Sequence, residues 1–174
     1  MNNLTIKIEK LLDTDFEELI KVSREIWCSH YPGVISIEQI EYMLDKMYAL
    51  EIIEKEIYQL GIFYDKVVKD NQIVGYLSYG AEVKDNLNHI NCLKLHKCYL
   101  LPALHGFGYG QIMLSHVCQK AKDMNLQKII LNVNKSNVKG ITAYTRFGFK
   151  IIESKVIDFG GGFVMDDYIM SYEI

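Results

Sequence analysis

The residues of this chain best suited to hold an anion are the glycines of His105-Gly-Phe-Gly-Tyr-Gly110-Gln111. They follow Leu95-His-Lys-Cys-Tyr-Leu-Leu-Pro102 and precede a long amphipathic stretch, so the segment reads as a strand, a sharp turn and a helix start. Glycine lets the backbone bend there and lets a ligand approach the amides closely. A helix start adds N–H groups without intrahelical partners and the positive end of the helix dipole. No Asp or Glu stands between Gly106 and Asp123 to occupy that end. The chemistry favoured is binding of a phosphate or pyrophosphate. A Walker-type loop is a weak reading, because Gly110 is followed by Gln111 rather than by Lys and a hydroxyl residue. A dinucleotide fold would set its glycines after the first strand, with an acid about 20 residues on, and this chain does neither. Alone, the glycine run is equally well an ordinary turn.

A second segment narrows the reading: Asn137-Val-Lys-Gly-Ile-Thr-Ala-Tyr144-Thr-Arg-Phe-Gly148-Phe149. Taken with the glycine turn, it resembles the GNAT superfamily of acetyl-coenzyme A-dependent N-acetyltransferases. That family's pattern is Gln/Arg-x-x-Gly-x-Gly/Ala, a strand, an Asn, a helix with Tyr seven residues on, and Gly-Phe. Here His105 stands in the Gln/Arg place, and Asn137, Tyr144 and Gly148-Phe149 match in order and spacing. More loosely, the likeness runs from the first strand to the C-terminus.

The resemblance implies a ternary-complex attack of an amine on a thioester. The pantetheine arm would lie along the strand at Cys98, Tyr99 and Leu100, with a backbone N–H polarising the thioester carbonyl. His105, Gly106, Phe107, Gly108, Tyr109, Gly110 and Gln111 would hold the pyrophosphate. Asn137 would bond the pantetheine amides, or simply cap its helix. Tyr144 would protonate the departing thiolate, or fill an aromatic core position. His96, nine residues before His105, stands where many members carry a basic Glu. Its imidazole would take the ammonium proton, against a structural role or a water chain in its place. Asn132 replaces a Glu typical of ribosomal-protein acetyltransferases, which counts against that substrate class. Acceptor recognition falls to His30 and Tyr31 of Trp27-Cys-Ser-His-Tyr-Pro-Gly33, or those aromatics seal a helix pair. It falls also to Asp166 beside Asp167, two acids that would attract a cationic amine, although adjacent strand residues face opposite ways. Lys135, Lys139 and Arg146 meet the coenzyme's 3′-phosphate or are solvated charges. No metal is implied, and a homodimer is frequent in the family.

Bulk properties agree with a single domain over residues 1–174, long enough for a sizeable core. A net charge of −3 argues against nucleic acid as the main partner. The four cysteines, Cys28, Cys92, Cys98 and Cys118, have no Cys-x-x-Cys or zinc spacing and read as reduced thiols. Met1-Asn-Asn-Leu-Thr5 shows no leader and no apolar run suits a bilayer, so a cytoplasmic protein with no membrane partner is expected.

The elements that must position these residues follow from periodicity. Leu4 to Lys10 alternates like a strand. Thr14 and Glu17 are spaced as a capping box, with Leu12, Phe16, Leu19, Ile20 and Ile26 inward. Tyr31-Pro-Gly33 ends that helix, and Ser36 caps the next, with Ile37, Ile40, Met43, Leu44 and Met47 inward. A helical stretch over 49–60 precedes a hairpin of Ile62–Val68 and Ile73–Tyr79. Strand Leu93–Leu101, helix Gly108–Met124, strand Gln127–Val133, helix Val138–Phe147 and strands Lys150–Lys155 and Val164–Tyr172 complete the chain. The order β-α-α-(α)-β-β-β-α-β-α-β-β is the GNAT order. It implies an α/β fold with a mixed, mostly antiparallel central sheet of about seven strands flanked by helices.

The expected activity is acetyl transfer from acetyl-coenzyme A to a primary amine, first a small cationic amine such as a polyamine or diamine. A protein lysine or N-terminus is the second acceptor class. A non-catalytic acyl-coenzyme A sensor and a tRNA-acetylating toxin are the readings from other classes.

Overall fold

The computed structural model describes residues 5–82 and 92–174. Leu4, the expected start of the first strand, and the rest of residues 1–4 read for a leader lie outside the described residues. The elements are β1 (Lys7–Lys10), α1 (Phe16–His30), α2 (Ile37–Tyr48), α3 (Leu50–Tyr58), β2 (Phe63–Lys69), β3 (Gln72–Glu82), β4 (Cys92–Leu100), α4 (Tyr109–Asp123), β5 (Lys128–Asn134), α5 (Val138–Phe147), β6 (Lys150–Gly160) and β7 (Phe163–Glu173). Among the described residues, seven strands form one sheet in the order β1-β2-β3-β4-β5-β7-β6. Neighbours β4 and β5 are parallel, whereas β1–β2, β5–β7 and β6–β7 are antiparallel. The α/β class, mixed sheet and element order are those the sequence implied.

Local chemistry sets the boundaries. Ser36 Oγ accepts from the Gln39 N–H at 3.1 Å and caps α2. Asn137 Oδ1 accepts from the Gly140 N–H at 3.0 Å and caps α5. Gly148, with φ of 119°, ends α5 in the left-handed region that favours glycine. The β2–β3 hairpin turns on Asp70 and Asn71, both at positive φ, as a two-residue turn requires.

Four expectations are corrected. Thr14 and Glu17 form no capping box: a 3-10 turn at Asp13–Asp15 precedes α1, and the Asp15 carboxylate accepts from the Leu12 N–H at 2.8 Å. Leu12 is therefore out of phase with α1 and stays 53% exposed. Ile37, the first residue of α2, is 70% exposed, and Tyr48 at the far end of the helix is buried instead. Strand β6 runs on to Gly160, because an edge strand exposed along most of its length offers no alternation to read.

The described residues group into two compact units, one from residues 5–78 with Lys97–Met113, the other from residues 79–82 and 92–96 with Leu114–Ile174. Leu19, Ile26, Trp27, Met43, Ile53, Tyr76 and Leu77 are fully buried in the first. Leu93, Ile129, Leu131 and Met170 are fully buried in the second. No helix among the described residues is long and apolar enough to cross a membrane.

Candidate active site

In the first unit the glycine turn has the conformation an anion cradle needs. Gly106 and Gly108 sit at φ of 85° and 82°, where a side chain would be strained. Gly110 has no such requirement, and a Cβ on any of the three would meet nothing within 4 Å. Open space thus lies over three alternate backbone positions leading into α4, whose first turn carries no acid. These features fit a pyrophosphate. The His105 ring Nε2 lies 3.0 Å from the Leu100 carbonyl, so it donates there and ties the turn back to β4. In this chain the imidazole therefore has a structural task in place of Gln or Arg.

The end of β4 is held from beneath. The Leu101 N–H donates to the Val74 carbonyl at 2.8 Å. A Cβ on Gly75 would fall 2.5 Å from the Tyr99 carbonyl oxygen and 3.1 Å from Leu100 Cα. Both are backbone atoms that no side-chain rotation can move aside. Gly75→Ala is expected to push Tyr99 and Leu100 out of line, with a stability loss of about 1–3 kcal/mol in urea melts. Its coenzyme A affinity in calorimetry should fall in parallel.

Tyr31, 5% exposed, belongs to a sealed aromatic cluster. Its ring lies 4.3 Å from that of Trp27, and its hydroxyl is 2.9 Å from that of Tyr99. Trp27 Nε1 and the Tyr76 hydroxyl both donate to the Tyr48 oxygen, at 3.1 Å and 2.7 Å. Burial pushes Tyr48 and Tyr76 above the ordinary phenol range, so both stay neutral. His30 packs edge-on against Tyr31 at 4.9 Å.

Next to Cys98 on β4, Lys97 is 2% exposed. Its ammonium donates to Glu56 at 2.7 Å and to the Tyr64 oxygen at 2.6 Å, while Tyr64 donates to Glu56. Burial lowers the Lys97 pKa, and the Glu56 charge opposes that shift.

In the second unit Asn137 and Tyr144 share α5. The Tyr144 ring is half-buried and meets Phe149 edge-on at 5.8 Å, and its carbonyl accepts from the Gly148 and Phe149 N–H groups. A Cβ on Gly148 would lie 3.1 Å from the Tyr172 ring. Lys139 and Arg146 are exposed, as is His96 on β4. Asp166 faces outward and pairs with Lys135 at 2.5 Å.

Asp167 takes the opposite face and is 6% exposed. The Asn132 side chain bonds its carboxylate, and Lys94 donates to Asn132 Oδ1. Burial first, against the Asn132 hydrogen bond, raises the Asp167 pKa to about 6. Residue-type reading chose Asp166 of the two acids and passed over Asp167, Lys94 and Lys97. The signal for Asp167 was its position two residues after the apolar Met165, on the same strand face.

Residues 20–149 match the family model described as the acetyltransferase (GNAT) family. The chain belongs to the GNAT family. It is an acyltransferase that uses acetyl-coenzyme A. Over 160 residues this GNAT chain is 29% identical to spermidine N(1)-acetyltransferase of Thermoplasma acidophilum, covering 90% of this chain and 95% of the relative. Its fold superposes with a TM-score of 0.80 on PaiA N-acetyltransferase from Thermoplasma acidophilum in complex with coenzyme A, at 26% identity over 98% and 99% of the two chains. Ribosomal-protein-alanine N-acetyltransferase from Brucella melitensis shares the fold alone, at a TM-score of 0.67 and 16% identity over 97% and 99%. Among the described residues of this GNAT protein, no cluster of three or more His, Cys, Asp or Glu side chains could hold a metal.

Proposed function

We propose that this GNAT protein acetylates a primary amine of a small polycation, spermidine or a related polyamine, by direct transfer within a ternary complex. The observation that carries this reading is the similarity along nearly the whole chain to a spermidine N(1)-acetyltransferase. Asp167 supports it, because a carboxylate favours an incoming cation over a neutral or anionic acceptor, whereas Asp166 is already paired with Lys135.

When bound, acetyl-coenzyme A supplies an activated acyl carbon and a thiolate leaving group. The amides of Gly106 to Gln111, at the positive end of α4, bind the pyrophosphate. Backbone groups of Cys98, Tyr99 and Leu100 align the pantetheine arm as an added strand would. Asn137 bonds the same arm while capping α5. Tyr144 gives its phenolic proton to the leaving sulfur. His30 borders the acceptor, and the buried Tyr31 acts only behind it, as the seal of the aromatic cluster. Four cysteines, none in a disulfide, support a reducing compartment and with it a cytoplasmic location.

The test is free-thiol release from acetyl-coenzyme A against spermidine, diamines, aminoglycosides, amino acids and short peptides. Spermidine or a diamine should give the largest kcat/KM. Release with peptides alone would move the acceptor to protein N-termini or lysines. No release with any amine, together with calorimetric binding of the coenzyme, would make the protein a sensor.

A further inference from the structure

Within its own unit, Asp167 is a buried carboxylate whose charge is not matched by an ion pair among the described residues. The residue is 6% exposed, and its Oδ1 is buried with no hydrogen-bond partner among the described residues. Such an acceptor inside a protein is costly unless a donor arrives to satisfy it. Its setting is built rather than incidental. On β5 and β7, Asp167 lies opposite Asn134 and Asn132 opposite Ile169, so both polar side chains project from one face of the sheet. Lys94 donates to Asn132 Oδ1, which turns the Asn132 amide N–H toward the Asp167 carboxylate. One carboxylate oxygen is thereby fixed, and Oδ1 is left without a partner among the described residues.

We infer that Asp167, positioned by Asn132 and Lys94, receives the ammonium group of the acceptor at Oδ1 and takes its proton. This rests on the transfer to a cationic amine proposed above. The neighbouring acid is unsuited to the task, since Asp166 is exposed and already paired with Lys135. The other charged or titratable groups around Asp167 in this unit are Lys94 on β4, Lys135 after β5 and Lys155, opposite it on β6. His96, two residues beyond Lys94, is exposed.

The step balances without a further reactant. The ammonium N–H bond breaks, its proton passes to the Asp167 carboxylate, and the nitrogen keeps the electron pair. That pair forms the bond to the acyl carbon as the carbon–sulfur bond breaks. Of the two protons the nitrogen loses overall, one ends on the thiol and one reaches solvent from Asp167. Burial favours this exchange on both sides: it raises Asp167 to about 6 and lowers the pKa of an ammonium brought beside it. Above pH 6 the carboxylate remains ionised and ready.

The test is Asp167→Asn, which keeps the shape and the Asn132 contact but removes the charge. With spermidine, which arrives as the ammonium, wild-type kcat/KM should be level just above pH 6 and fall with one proton per molecule below about 6, as Asp167 itself becomes protonated. The variant should lose about 100-fold in kcat/KM at pH 7.5 and, needing the free amine, should show no break near pH 6 but rise with a one-proton dependence across and above it, while its calorimetric affinity for coenzyme A stays unchanged. A carboxyl group whose folded pKa is raised destabilises the fold as pH climbs from 3.8 to about 6. The variant should therefore melt at a higher temperature than wild type at pH 7.5, with the difference closing near pH 4. Wild-type kcat/KM in the variant, or the same break near pH 6 in the variant's profile, overturns the inference. If wild type itself releases no thiol with any amine, the transfer reading fails, and spermidine calorimetry without acetyl-coenzyme A then tests Asp167 directly. A loss of tenfold or more in spermidine affinity in the variant supports the ammonium seat, and equal or undetectable binding in both proteins overturns it.

Discussion

Tyr144→Phe should lower kcat for acetyl transfer by about 100-fold while leaving coenzyme A affinity and the melting temperature close to wild type. The substitution removes a single oxygen. The ring keeps its edge contact with Phe149, and the backbone carbonyl still accepts from the Gly148 and Phe149 N–H groups that close α5. Nothing in those contacts requires the hydroxyl, so a fall in turnover reports the proton it donates. An alkyl thiolate is a poor leaving group until it is protonated or otherwise stabilised, and water donates poorly because it is a far weaker acid than a phenol. Thiol release under saturating acetyl-coenzyme A and amine measures kcat, and calorimetry measures binding. Unchanged kcat would assign the proton to solvent. A parallel loss of binding and turnover would make Tyr144 a wall of the site rather than its acid.

The parts of this site that were legible in the sequence are those fixed by short-range geometry. Gly106, Gly108 and Gly148 adopt the positive φ that their turns demand, and Ser36 and Asn137 cap the helices that follow them. Each signal is contained within a few residues. Strand pairing is different: that β4 and β5 are parallel while β7 lies between β5 and β6 cannot be read from alternation, and the family likeness implied only a mixed, mostly antiparallel sheet. Burial of polar groups was the other blind spot. Lys97 occupies the alternate position after Leu93 and Leu95, which is a core position by period, yet its charge made it look like surface. Its partners lie 41 and 33 residues away, so no local pattern announces them. Ile37 failed in the opposite sense, because an apolar residue in the first turn of a helix need not point inward.

Lys97→Ala should destabilise the protein by about 3–5 kcal/mol, because it strands a carboxylate whose cation was buried. The lysine is 2% exposed, with its ammonium 5.6 Å from the Tyr48 ring centroid and 5.1 Å from that of Tyr64. Truncation leaves Glu56 without its counter-charge and Tyr64 without a donor, and adds a cavity beneath β4. Lys97→Met with Glu56→Gln removes both charges and refills the volume, so it should recover most of the loss. Urea melts of the three proteins separate the outcomes; equal stability of the single and double variants would show that packing, not charge, holds this site. The pH dependence has a definite sign. Burial depresses the folded-state pKa of Lys97 below 10.5, so between that depressed value and 10.5 the unfolded chain binds the more protons. This group's contribution to stability therefore rises with pH across that window, and the rise should vanish in both variants. Lys97 immediately precedes Cys98, Tyr99 and Leu100, the backbone proposed to align the acyl donor. A charge network at that point fixes the strand from one side while Gly75 fixes it from another. Coenzyme affinity should accordingly fall in Lys97→Ala and return in the neutral double variant, since what the ligand needs from Lys97 is a straight strand rather than its charge.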